Sequence, residues 1–430
     1  MASNDKPERA KFSQTKLLAV SFAFPPLAYP RSIQVARLVK YLRLPVALVC
    51  ADELDARRDP TLEPDAEAAL AAVLRVPFSV SKIGRYANAA AHRFHRPLWN
   101  RWNRAPDQYR AWLPRALAAI ERLTRDGAFM PDAIATFSQP VVDHLIGLEL
   151  KKRYQLPWLA HFSDPWVDNP FYAYDEATRR INETLERRVI EQADRLVFTS
   201  RETIDLVMSK YPPQWKRKTL VLPQAFDTAL YPPPSGKEGT RLTVRHLGNF
   251  YGQRTPAPLF RALRQLHTSD PSALRDVVFE LVGIEDVDAV REAARDGLPE
   301  ELISVGPHVG YRESLSLMSR ADGLVVIDAP TDKSVFLPSK LIDYIGAGRP
   351  VLGLSPPGAA SALINRLGGW LADPSDTEAG AVALSNFIAF LRTPESRKRD
   401  AWGAPDVRRE YEATHLADSF AAIIEDLRTP

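Results

Sequence analysis

Two stretches of this sequence hold residue types suited to gripping a phosphate. The first is His246-Leu247-Gly248-Asn249-Phe250-Tyr251-Gly252-Gln253-Arg254, which follows an apolar run and precedes a helical pattern. Gly248 and Gly252 allow tight turns and close approach of backbone to a ligand. Arg254 offers a planar fork that matches phosphate oxygens. The plainer reading is an ordinary strand-to-helix loop with a surface arginine. The second stretch is Phe336-Leu337-Pro338-Ser339-Lys340-Leu341-Ile342-Asp343-Tyr344-Ile345-Gly346-Ala347-Gly348-Arg349-Pro350. Pro338 and Ser339 suit a helix start. The free N–H groups there form an anion site, to which Lys340 adds charge. Asp343 lies three residues after Lys340 and shares its helix face, where a carboxylate could accept ribose hydroxyls. The plainer reading is a capped helix with a Lys–Asp surface pair, ended by Gly346, Gly348 and Pro350.

The elements that must position these residues alternate along the chain. Leu17–Phe22 precedes a helical pattern at Ser32–Arg43; Val46–Cys50 and a weaker run at Val73–Val76 follow. Ala133–Phe137 precedes Val141–Tyr154, Trp158–Phe162 precedes Glu176–Gln192, and Arg195–Thr199 precedes Arg201–Lys210, before Thr219–Leu222. A Pro-rich break, Pro223 to Gly239, has the composition of a linker. The alternation then restarts with Leu242–Leu247, Val277–Val282, Leu302–Val305, Leu324–Ile327 and Val351–Leu354, each followed by a helical pattern. Asp406 to Leu427 reads as one helix. Such alternation predicts an α/β protein of two doubly wound, Rossmann-like parallel-sheet domains facing across a cleft. Their bounds are 16–225 and 240–405, with 406–430 crossing back to complete the first. Ligands bind at the carboxyl ends of such strands.

Composition excludes several other classes. The chain has 430 residues, 45% hydrophobic and 25% charged, which suits globular domains and not disorder. A single cysteine, Cys50, rules out an internal disulfide framework and a CxxC-type zinc site. The net charge of +3 argues against nucleic-acid binding by bulk charge. No window supplies the roughly 20 apolar residues of a membrane span. Leu17–Phe24 could imitate a signal-peptide core, but acids precede it and no clear cleavage site follows. It reads as a first β-strand, with cytoplasmic residence.

The motifs together resemble the GT-B glycosyltransferases, specifically the retaining family-4 (group 1) enzymes. Those enzymes carry a glycine-containing loop ending in Arg or Lys and a later P-x-K-x-x-E-Y-x-x-x-G-x-P block. Here Pro338, Lys340, Asp343, Tyr344, Gly348 and Pro350 occur in that order. Phe24 to Arg31 resembles the acceptor and phosphate loop of polysaccharide-assembly members, and His161-Phe162-Ser163-Asp164-Pro165-Trp166 resembles their strand-end "RDPW" segment. The resemblance spans about residues 16–425. It implies that Gly248 and Asn249 approach a donor pyrophosphate, which Arg254 neutralises. The helix start at Leu337, Pro338, Ser339 and Lys340 would bind the distal phosphate, and Asp343 the ribose. Gly310 and Tyr311, in the turn His308–Tyr311, would read the nucleobase, and Asp164 would sit near the sugar's reactive carbon. Three departures stand out. Val335 fills the place of the family's first acid, which normally contacts the donor sugar, with Asp328 or Asp332 as substitutes from the same loop. Pro25-Pro26 replaces a Gly-Gly pair, and Ser163 replaces the motif's arginine.

The chemistry so implied is sugar transfer, with retention, from a UDP- or GDP-sugar to a saccharide or lipid-linked acceptor in cell-surface polysaccharide assembly. Arg254, Lys340 and the helix end would stabilise the leaving diphosphate, with no cofactor and no metal; Asp373 and Asp376 read as capping residues. Asp164 would orient the acceptor or stabilise charge on the sugar, against the alternative of an Asx turn before Pro165. His161 and His144 read as packed histidines. A GT-B-shaped scaffold without turnover is the other reading, motivated by Val335, and a nucleotide-sugar epimerase a third. Between Ser81 and Pro106 lie Lys82, Arg85, Arg93, Arg96, Arg101 and Arg104 with no acid, interleaved with Tyr86, Phe94, Trp99 and Trp102. This pattern suits peripheral contact with an anionic membrane at the inner face of the cell membrane, where a lipid-linked acceptor would be met. It would equally suit stacking on single-stranded nucleic acid or a solvated insertion.

Overall fold

The computed structural model describes residues 15–53, 57–62, 67–78, 106–233, 240–397 and 402–428. All but the last residue of the basic, aromatic segment 81–106 lies outside the described residues, as do 234–239 of the linker.

Two all-parallel sheets form. The first has seven strands: β1 (Leu17–Val20), β2 (Val46–Glu53), β3 (Ala72–Phe78), β4 (Ala133–Ser138), β5 (Trp158–Phe162), β6 (Arg195–Phe198) and β7 (Thr219–Val221), in the order β3-β2-β1-β4-β5-β6-β7. Its helices are α1 (Pro30–Tyr41), α2 (Leu113–Arg125), α3 (Val142–Tyr154), α4 (Glu176–Gln192) and α5 (Arg201–Met208). The second sheet has six strands: β8 (Leu242–Leu247), β9 (Val277–Val282), β10 (Ile303–Gly306), β11 (Gly323–Ile327), β12 (Val351–Leu354) and β13 (Trp370–Ala372), in the order β10-β9-β8-β11-β12-β13. Its helices are α6 (Ala257–Ser269), α7 (Val287–Arg295), α8 (Tyr311–Arg320), α9 (Ser339–Ala347), α10 (Ala359–Leu367), α11 (Thr377–Leu391) and the single turn α12 (Pro394–Arg397). The central strands β1, β4, β5, β8, β11 and β12 are buried along their whole length, as strands covered by helices must be, and β1, β11 and β12 are wholly apolar.

In each sheet the strand order reverses once, between β1 and β4 and between β8 and β11. Loops on either side of such a reversal diverge and leave a crevice at the carboxyl edge. The glycine loop after β8 and the helix α9 after β11 therefore come together although 90 residues separate Gly248 from Pro338.

The tail departs from the expected single helix. It is α13 (Pro405–Arg409), a break, and α14 (Ala413–Asp426). At the break the two interdomain crossings pair with each other: the Phe226 amide donates to the Tyr411 carbonyl and the Ala413 amide to the Phe226 carbonyl, each at 2.9 Å. Backbone spent on that pairing cannot continue a helix. Beyond it, α14 buries Leu416, Ala417, Phe420 and Ile424 against α1 and the first sheet. Strand β13 and helix α11 were not anticipated. Asp376 caps α11 by accepting from the Ala379 amide at 2.9 Å, and Asp373 accepts from Ser375.

Candidate functional site

A cleft of about 600 Å³ lies between the domains, lined from the second by Gly248, Asn249, Arg254, Gly310, Tyr311, Pro338, Ser339, Lys340 and Asp343. Residues 28–37 and 57–60 of the first domain close its other side.

One end of this cleft is built from the residues that follow β8 and from α9. Gly248 adopts φ 111°, a conformation that favours glycine, and a β-carbon there would press on Lys340 Nζ at 3.1 Å. The Tyr344 hydroxyl accepts from the Leu247 amide at 2.9 Å, tying the end of β8 to α9. Pro338 is the N-cap of α9 and supplies no side-chain bond to the first turn. The Leu341 amide turns back onto the Pro338 carbonyl at 3.0 Å, while the Ser339 and Lys340 amides, which have no intrahelical acceptor, remain for a ligand. Lys340 Nζ contacts Nε2 of His246 at 3.1 Å. Burial, with the charge of Arg254 adding to it, pulls the Lys340 ammonium down to about 7; Asp328 opposes this.

Arg254 is held more tightly than a free fork. Its Nε donates to Asp328 at 2.7 Å and its Nη1 to the Tyr251 hydroxyl. Its guanidinium lies 5.0 Å from the ring centres of Phe171 and Tyr251 and 5.7 Å from that of Phe336. Phe171 belongs to the first domain and stacks on Phe336 at 4.8 Å. Asp328, at 2% exposure, also accepts from the Ala329 amide and the Ser334 hydroxyl. That carboxylate is fully engaged and is no substitute for the missing acid at position 335. Asp332 is exposed. The Val335 carbonyl itself accepts from the Ser200 and Thr203 hydroxyls of the first domain, at 2.9 and 3.1 Å.

A second cavity, of about 830 Å³, lies in the first domain. Arg31, Asp107, Tyr109, Asp164, Trp166 and Tyr172 are among its walls. Pro30 and Gln34, in the first turns of α1, line both cavities, so the two adjoin there. Asp164 accepts from the Ser163 hydroxyl at 2.8 Å. Burial raises its carboxyl above the usual range; Ser163 and the charges of Arg31 and Arg254 oppose the rise. Asp107 receives the Tyr109 and Val142 amides, yet burial lifts it to about 6.

Solved structures share this two-sheet arrangement over nearly its whole length. HepE of Anabaena, in complex with UDP and glucose, is 15% identical, covers 96% of this chain and 100% of its own, and gives a TM-score of 0.62. A trehalose-6-phosphate protein of E. coli, bound with UDP-2-fluoro glucose, is 14% identical over 97% of this chain and 99% of its own, at 0.63. Sucrose-phosphate synthase of Thermosynechococcus elongatus is 16% identical over 96% and 99%, at 0.65. The chain has the GT-B fold. No protein-family model matches the sequence, and no curated protein matches it.

Within this GT-B frame, Gly248, Asn249, Arg254, Gly310, Tyr311, Pro338, Ser339, Lys340 and Asp343 converge on one cleft. Two of the residues singled out from sequence do not join them. Leu337 is packed in the second domain's core, because the residue before the N-cap points inward under α9. Asp164 lies across the junction in the first-domain cavity. The Tyr311 amide, expected at a nucleobase, is taken by Asp59 of the first domain at 3.3 Å. Asp343 is not a surface partner of Lys340: its Oδ1 accepts from Arg37 at 2.7 Å and from the Tyr311 hydroxyl at 3.1 Å. His161 and His144 are buried and packed as expected. His161 Nδ1 meets Arg31 at 2.8 Å and His144 Nδ1 meets Thr136 at 2.8 Å. Burial holds both neutral, His144 at about 3.

Sequence reasoning missed His246 and Arg37. His246 sits on an apolar strand and reads as core; its only sequence signal is a polar side chain two residues before the loop glycine. Arg37 is one basic residue of an amphipathic helix, and nothing local marks it as a cleft residue. Among the described residues no group of three His, Cys, Asp or Glu is arranged to hold a metal ion, and no helix is long and apolar enough to cross a membrane.

Proposed function

We propose that this chain is a glycosyltransferase that takes a sugar from a UDP- or GDP-sugar and transfers it, with retention, to a saccharide or lipid-linked acceptor in cell-surface polysaccharide assembly. One observation carries the reading. A lysine ammonium whose one hydrogen-bond partner among the described residues is a neutral imidazole lies with the free Ser339 and Lys340 amides and a glycine loop inside an interdomain cleft. That is a site short of an anion, at the right size for a nucleoside diphosphate.

In the proposed reaction the bond from the sugar's anomeric carbon to the β-phosphate oxygen breaks. Charge develops on that oxygen, and Lys340, the α9 amides and the Arg254 guanidinium stabilise it without a metal. The acceptor hydroxyl, oriented by Asp164, attacks from the face the diphosphate leaves. Attack on that face retains the configuration, and the hydroxyl proton passes to a phosphate oxygen of the leaving diphosphate. The adjoining of the two cavities at Pro30 and Gln34 supports this division of roles. The neighbours that bind UDP and sugars support the donor class. The test is sugar transfer or donor hydrolysis from UDP- and GDP-sugars in the presence of EDTA. Turnover should be lost in Lys340→Ala and Arg254→Ala; full turnover in both variants removes the site.

One observation favours a second reading, a nucleotide-binding GT-B scaffold without turnover. The donor-sugar position has Val335 where an acid is usual, and the nearby Asp328 is consumed by Arg254. This reading gives nucleotide affinity with no turnover for any donor. Contact of residues 81–106 with anionic membrane is proposed from sequence alone. It is tested by co-sedimentation with phosphatidylglycerol vesicles; binding unchanged by neutralising the arginines would remove it.

A further inference from the structure

Arg37 belongs to α1 of the first domain, yet its guanidinium reaches α9 of the second. Its Nη2 donates to Asp343 Oδ1 at 2.7 Å and its Nη1 to the Ala225 carbonyl at 2.6 Å. The guanidinium carbon lies 5.3 Å from the Tyr311 ring centre, and the Tyr311 hydroxyl donates to the same Oδ1. Arg37 is 5% exposed, lines the interdomain cleft, and its Nε has no hydrogen-bond partner among the described residues. The Asp343 carboxylate is thus fixed through one oxygen, which leaves Oδ2 for a ligand. The backbone behind it is fixed as well, since the Tyr231 hydroxyl donates to the Asp343 carbonyl at 2.9 Å.

We infer that Arg37 is a positioning residue for ribose recognition: it holds Asp343 with Oδ2 turned to the sugar of a nucleoside diphosphate, and does so from the opposite domain. The inference rests on the proposed reading of the cleft as a nucleotide site. Its physical basis is twofold. A carboxylate buried without a cation tends to take a proton and then offers a mixed donor–acceptor group; burial raises the Asp343 carboxyl above the usual range and Arg37 opposes that rise, favouring the ionised form that accepts from two hydroxyls. A short aspartate also cannot search for its ligand, so whatever fixes its rotamer fixes the ribose. The consequence is a division within one ligand. Gly248, Lys340 and the α9 amides all belong to the second domain, so pyrophosphate binding does not need Arg37. Ribose reading does, and is completed only when the domains are closed.

The experiment is calorimetric titration of the full chain with UDP, GDP, their 2′-deoxy and 3′-deoxy forms, and inorganic pyrophosphate. The native chain is expected to prefer the ribonucleotide by about tenfold or more over at least one deoxy form, the loss expected when a buried charged acceptor goes unpaired. In Arg37→Gln and Arg37→Met that ratio falls to about twofold or less, while pyrophosphate affinity stays unchanged. A ratio kept in either variant, or absent from the native chain, overturns the inference while leaving the nucleotide site standing. If the native chain binds no nucleotide and no pyrophosphate, the underlying reading itself fails. Should neither variant fold, hydrogen exchange on the native chain decides. At equal occupancy the ribonucleotide should slow exchange across α1 more than the deoxy form, and equal protection overturns the proposal.

Discussion

Lys340 Nζ and His246 Nε2 lie 3.1 Å apart, a cation set against a neutral ring. His246 is fully buried, its ring stacked on Phe250 at 4.6 Å, and Nδ1 meets the Val325 carbonyl at 3.1 Å. That contact assigns the proton to Nδ1 and makes Nε2 the acceptor. Burial and the Lys340 charge keep the imidazole neutral. The histidine therefore aims the ammonium without cancelling its charge, which a carboxylate in the same place would do.

A pH dependence follows. Because burial and the neighbouring Arg254 charge pull the Lys340 ammonium down to about 7, this group loses its charge as pH rises through 7. An anion beside it favours the protonated form, so binding at pH 8 takes up a proton. Affinity for UDP or GDP then falls between pH 7 and 9, by up to about tenfold per unit. Calorimetry at pH 8 in buffers of different ionisation enthalpy measures the proton directly. Affinity that is level from pH 7 to 9 contradicts the assignment.

Removing the ammonium should weaken the same ligands. Lys340→Met keeps the stem and deletes a charge-assisted hydrogen bond of about 1.5–3 kcal/mol, which is roughly ten- to a hundredfold in affinity. His246→Phe keeps the stacking on Phe250 and loses only the guide for the ammonium, so its effect on affinity is smaller and its pH midpoint is lower. Native affinity in Lys340→Met would show that the phosphates bind elsewhere.

Arg254 carries a structural duty besides the catalytic one proposed for it. Arg254→Met leaves Asp328 buried and without its cation, at a cost of about 3–5 kcal/mol, visible as a lower denaturant midpoint. Arg254→Met/Asp328→Asn removes both charges and should recover most of that stability while turnover stays absent. If the single variant is as stable as the native chain, the buried pair contributes nothing and the cage of Phe171, Tyr251 and Phe336 alone positions the arginine.

Much of this arrangement was readable from sequence because it is local. Apolar runs such as Leu324–Ile327, with Pro338-Ser339 after them, announce a buried strand and a helix start within a few residues. The same locality explains what stayed hidden. Trp370–Ala372 is too short to show a period, and Asp376 before Thr377–Leu391 was read as a loop cap without the helix it caps. Asp343 reads as a ribose ligand or a surface partner of Lys340, since both lie on one face. Arg37, 306 residues away, holds one of its carboxylate oxygens, and no spacing rule reaches that far. The break at Tyr411 depends likewise on Phe226 in the other crossing.

Asp164 lies in the first-domain cavity, apart from the cleft that holds Lys340 and Asp343. Its carboxyl is raised by burial, with Ser163, Arg31 and Arg254 opposing. If the ionised form orients the acceptor, turnover is lost as pH falls through a value above the ordinary carboxylate range, while donor affinity is held by residues of the other cavity. Asp164→Asn should lower kcat on the order of a hundredfold, abolish that acid limb, and leave UDP or GDP affinity within about twofold. The steady-state pH profile and a parallel titration distinguish the cases. A variant with native kcat would return Asp164 to the role of an Asx turn before Pro165. A variant that also loses nucleotide affinity would place its charge at the donor, through the field it shares with Arg254.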